Sequence, residues 1–119
     1  MNYWILFGTT MLLLVLVDFP YLTAISNYAN QVFSAVQGTP LEFRYTPGIV
    51  VYAALAYLLL QTESVVEAFK YGAATYAVYD FTNLATLKRY DLQFAIMDTV
   101  WGGTLFAITR YVLARLFNF

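Results

Sequence analysis

A chain of 119 residues that is 61% hydrophobic, 19% aromatic and only 11% charged lies far from the balance of a soluble domain and reads as one integral membrane domain. A net charge of −1 without any polybasic run argues against a nucleic-acid partner and offers no hold on an anionic membrane surface. With no cysteine and no histidine, disulfides, thiolate nucleophiles and the usual neutral-pH base are excluded, so chemistry rests on carboxylates, Tyr, Lys and Arg, and no cofactor is indicated.

The first apolar segment lacks the basic start and small-residue cleavage site of a signal peptide, and is read as a retained span over about 2–25. A helix rising ~1.5 Å per residue needs ~20 residues to cross ~30 Å of hydrocarbon. Pro20 is expected to kink this span near its end. In the polar stretch 26–47, Gln37-Gly38-Thr39-Pro40 signals a turn. Val32, Phe33 and Val36 recur at helical spacing, which suits a short helix over 28–36 lying in the membrane interface.

Pro47 fits the first turn of a second, short span over about 47–61. Ser64 and Glu67 form an S-x-x-E capping pattern that starts a third span near Val65, running to about 85. Lys88, Arg89, Tyr90 and Asp91 make a polar turn before a fourth span over about 92–117. The predicted fold is all-α: a membrane four-helix bundle with a short interfacial helix between the first two spans. The lysine and arginine balance of the loops is too even to orient it.

Within these spans stand Asp18, Asp80 and Asp98, which the threading places at one depth below the loop face carrying Arg44, Lys88 and Arg89 as a basic rim. An ionisable group in hydrocarbon costs at least about 2.5 kcal/mol, so it normally faces the bundle interior or water and marks a site. On the third span Ala73, Tyr76, Ala77, Asp80 and Asn83 share a stripe. On the fourth, Asp98, Trp101 and Gly102 do so, with Gly103 and Ala107 adding a second pair of small residues. Two readings stand side by side. The stripes form a packing seam with polar residues as interhelical glue, or the acids bind a proton, a cation or a polar ligand, with Tyr76 and Asn83 orienting Asp80. The metal, if any, is left open. Arg110 is expected to snorkel towards the face bearing the termini. Tyr3, Trp4, Tyr21, Tyr28, Tyr45, Tyr90 and Phe117 are expected in the aromatic belts, whereas Tyr76, Tyr79 and Trp101 lie inward enough to line a pocket.

The run Tyr79-Asp80-Phe81-Thr82-Asn83-Leu84-Ala85-Thr86-Leu87, followed by Asp98-Thr99-Val100-Trp101-Gly102, resembles the predicted membrane proteins of domain-of-unknown-function family 2177. The resemblance implies a four-span chain with a signature at Asp18, Asp80, Thr82, Asn83, Asp98, Trp101 and Gly102, and brings no activity. It implies bacterial members and some in large DNA viruses.

Two functional expectations follow. The first is a lipid-embedded homo-oligomer acting as a small transporter or channel with an acidic site near one membrane face. The alternative is a structural membrane component, such as a viral membrane or capsid-associated protein that binds partner proteins. An enzyme built on an aspartate pair finds no support in glycine-flanked protease patterns or in a nucleophile with its base.

Overall fold

A computed structural model describes residues 2–119, and four helices account for most of them: α1 Tyr3–Gln37, α2 Tyr45–Leu60, α3 Val65–Thr86 and α4 Leu92–Phe117. There is no strand among the described residues. The predicted all-α bundle is the architecture found. α4 is its central helix, packed along α3 and against α1, while α2 leans on α1 and α3.

Local chemistry sets most helix ends. Asn2 accepts the Trp4 N–H at 2.8 Å to start α1. Ser64 accepts the Glu67 N–H at 3.0 Å to start α3, and the Glu67 carboxylate accepts from the Glu63 N–H at 3.1 Å, one residue before the expected position. Asp91 caps α4 through the Gln93 N–H at 3.2 Å. Gly38, with φ 81°, closes α1 in the left-handed conformation and donates its N–H to the Ser34 carbonyl at 2.8 Å.

The departure from the sequence reading lies in α1. The helix does not end near residue 25, and 28–36 is not a separate interfacial helix but the continuation of α1 to Gln37. Pro20 removes one backbone hydrogen bond without ending the helix. The extension is held by tertiary packing: Ala29 and Val32 join Tyr90, Phe94 and Ala95 in a small apolar cluster. Among the described residues α1 alone is, by length and composition, both long and apolar enough to cross a bilayer, and α2 is apolar but only 16 residues long.

A second, larger cluster gathers Leu14, Leu55, Ala56, Leu59, Ala68, Leu105, Phe106 and Leu113. Asp18 lies between Leu14 and Ala29 on α1, and Asp98 between Ala95 and Leu105 on α4, so a polar layer separates the two cores. Close approach of α3 and α4 beside that layer depends on glycine. A Cβ on Gly102 would run into the Tyr76 ring, one on Gly72 into the Gly102 carbonyl, and one on Gly103 into Phe69. Of the predicted small residues, Gly102 and Gly103 are fully enclosed at this seam, whereas Ala73, Ala77 and Ala107 are half-buried.

Gly102→Val is expected to destabilise the detergent-solubilised protein by about 1–3 kcal/mol, read by equilibrium unfolding. Gly8, which has nothing within 4 Å of an added Cβ, provides the contrast, and Gly8→Ala is expected to stabilise α1 by about 0.5–1 kcal/mol.

Candidate functional site

Asp18, Asp80 and Asp98 are all buried, Asp80 completely. Each accepts a tyrosine hydroxyl. Tyr52 of α2 donates to Asp18 Oδ2 at 2.5 Å, and Trp101 of α4 donates its Nε1–H to Asp18 Oδ1 at 2.8 Å. Tyr21 of α1 donates to Asp98 Oδ1 at 2.9 Å, and Tyr90, from the turn between α3 and α4, donates to Asp80 Oδ1 at 2.7 Å. The Tyr21 ring lies flat on Trp101, with centroids 4.6 Å apart and planes within 6°. These contacts join all four helices and a turn into one polar network.

The network is continuous. Trp101 links Asp18 to Tyr21 by stacking, Tyr21 leads to Asp98, and Asp98 interacts directly with the Asp80 carboxyl. Asp80 Oδ2 is buried without a hydrogen-bond donor among the described residues. Two carboxylates side by side repel unless a proton or a cation sits between them, and a shared proton turns such a contact into a hydrogen bond. Asn83 stands beside the hydroxyls of Tyr79 and Tyr90, next to Asp80. Tyr76 rests on Gly102 and borders both Asp18 and Asp98. In the turn, burial first and the Asp80 hydrogen bond second hold the Tyr90 phenol above its ordinary range, so it stays a donor.

The basic residues stand apart from the acids. Arg44 is exposed at the start of α2, and Lys88 and Arg89 line a separate groove with Gln37 and Gly38 at the end of α1. The donors seen on the three aspartates are Tyr and Trp. Thr82 is exposed. Arg110 leans towards the terminal end of α4 as expected, but is buried there, its guanidinium 4.1 Å from the Phe119 ring centroid and Nη1 without a partner among the described residues. Among the described residues no three acidic side chains are placed to hold a metal together.

A family model for predicted membrane proteins (DUF2177) matches residues 3–114, which include every residue of the network. The chain belongs to that family. Neither a curated protein nor a solved structure matches it. The family places the chain in a lipid environment, and the geometry shows what its buried acids contact.

The belt assignment needs correction at three positions. Tyr21, Tyr28 and Tyr90 turn inward onto Asp98, Asp91 and Asp80. Tyr52, read only as part of the second span, is the partner of Asp18. A signal for the first two was present, because Asp18, Tyr21, Ile25, Tyr28 and Val32 recur at three and four residues and form one stripe of α1. Tyr90, in a turn, had no periodic signal.

Double-mutant cycles should show these bonds as coupling energies. Tyr52→Phe with Asp18→Asn, and Tyr90→Phe with Asp80→Asn, are each expected to couple by about 0.5–2 kcal/mol in detergent unfolding. Tyr57→Phe, an exposed tyrosine of α2, is expected to be additive with both aspartate changes.

Proposed function

We propose that all four helices cross a lipid bilayer and that the acidic layer binds and releases a proton or a monovalent cation as part of a small transporter or channel. The outer surface supports the multi-pass reading. Large apolar side chains are exposed on every helix, among them Leu12 and Leu16 on α1, Val50 and Tyr57 on α2, Val66 and Val78 on α3, and Ile96 and Val100 on α4. An apolar surface of that extent is covered by lipid or by another copy. A bundle of this size has little interior, so a second copy completes the pathway in a homo-oligomer.

The observation that carries the reading is Asp80: fully buried, one oxygen held by Tyr90 and the other without a donor beside Asp98. A fully satisfied structural carboxylate would have both oxygens paired. An intramembrane acid with an open oxygen is where a proton or cation is exchanged. The protein's chemistry is therefore reversible binding rather than bond making.

A second reading rests on the same contacts. Asp18 is held by donors from two other helices, as expected of residues that lock a bundle in shape for a structural role in a cellular or viral membrane assembly.

Proton and monovalent-cation flux in liposomes separates the two. Wild-type protein is expected to collapse an imposed gradient and Asp80→Asn to lose that flux, while Lys70→Gln, on the exposed side of α3, keeps it. Absence of flux in the wild type overturns the transport reading and favours the structural one.

A further inference from the structure

We infer that the cleft between α1 and α2, with Asp18 and Asp98 on its floor, is a binding site for an amphipathic organic cation. The assignment rests on the reading of the acidic layer as a ligand-binding site and names the chemical class of its ligand. Two adjoining cavities form the cleft. The larger, about 800 Å³, reaches Asp18, and the smaller, about 390 Å³, reaches Asp98. Leu22, Val51, Leu55 and Tyr76 line both and so join them.

The walls select the ligand's body. Val15, Phe19, Leu22, Val51 and Leu55 offer no hydrogen bonds, so the occupant gains by presenting apolar surface. The floor selects its charge. No lysine or arginine lines either cavity, and both contain a buried aspartate. An anion would meet two carboxyls and no compensating donor of positive charge, whereas a cation is matched by them. The Tyr52 and Trp101 bonds hold the Asp18 carboxylate in place without neutralising it, and an ionised carboxylate has lone pairs beyond those two. Asp98 has one oxygen bonded by Tyr21 and borders the smaller cavity directly.

Aromatic faces add to the match, since Tyr45, Tyr52 and Tyr76 line the larger cavity and a cation is attracted to such faces. A bare metal ion fits poorly, because the apolar walls replace few of its water ligands and no three acids converge among the described residues. Phe43 closes one end of the cleft, its ring lying against Gly48 where any larger residue would displace it.

The probe pair is tetraphenylphosphonium and tetraphenylborate, which share shape and apolar surface and differ in the sign of charge. The chain has two tryptophans, and Trp4 is exposed at the far end of α1, so Trp4→Phe leaves Trp101 as a reporter bonded to Asp18. In detergent-solubilised full-length protein, tetraphenylphosphonium is expected to change Trp101 emission saturably, and tetraphenylborate is not. Asp18→Asn and Asp98→Asn should each weaken binding about tenfold or more, the scale of one lost charge-assisted contact. Val51→Phe, which narrows the cleft from α2 and leaves Trp101 the sole tryptophan, should weaken the response, and keeps the test available if an aspartate variant does not fold.

Equal binding of both probes, or tetraphenylphosphonium binding unaffected by Val51→Phe, would show a groove that merely holds lipid or detergent and would overturn the assignment. Saturable cation binding without liposome flux supports the assignment while overturning only the transport reading. Proton flux with no tetraphenylphosphonium binding does the reverse.

Discussion

A carboxylate buried among apolar helices must be given donors, and in this protein nearly all of them are tyrosine hydroxyls. Asp18, Asp80, Asp91 and Asp98, the four aspartates of the chain, each accept from one: Tyr52, Tyr90, Tyr28 and Tyr21 respectively. A phenol reaches across a helix interface with an apolar body and presents one polar atom at its tip, so it satisfies a carboxylate without burying a second charge. That choice avoids a buried ion pair, whose desolvation offsets much of its attraction.

The rest of the bundle is arranged around these bonds. α1 is tied to α4 three times, through Tyr21 to Asp98, Tyr28 to Asp91 and Trp101 to Asp18, and to α2 through Tyr52. The tie at Tyr28 lies beyond residue 25 and gives the long helix a reason to continue: its last turns are part of the bundle rather than a loop. α3 and α4 pack closely because Gly72, Gly102 and Gly103 remove the side chains that would separate them, and Tyr76 lies over Gly102 between two of the acids. Packing and polarity thus meet at one level, with an apolar core on either side.

Much of this was legible in the chain. Apolar periodicity located all four helices, the S-x-x-E pattern located the start of α3, and the three aspartates stood out as the ionisable residues within apolar runs, which Trp101 and Tyr21 link into one network. The end of α1 was missed because Ser26, Asn27, Asn30 and Gln31 read as loop by polarity, whereas Ala29 and Val32 on the opposite side supply the packing that keeps them helical. The tyrosines were misplaced for a different reason. Belt and network tyrosines have the same composition and occur near the same depths, and what distinguishes them is direction. Direction was readable for Tyr21 and Tyr28 from their stripe with Asp18, and unreadable for Tyr90, whose position depends on how a five-residue turn folds back onto α3. The orphan oxygen of Asp80 is a three-dimensional fact with no counterpart in sequence.

The dependence of the bundle on tyrosine-to-aspartate bonds is tested most directly by observing the hydroxyl protons themselves. In protein carrying isotope-labelled tyrosine, NMR should find the hydroxyl protons of Tyr21, Tyr52 and Tyr90 protected from exchange with water, each losing protection when its own aspartate, Asp98, Asp18 or Asp80, is replaced by alanine. Uniformly fast exchange at all eleven tyrosines, the behaviour of rings that only line the membrane interface, would contradict the network and the site built on it.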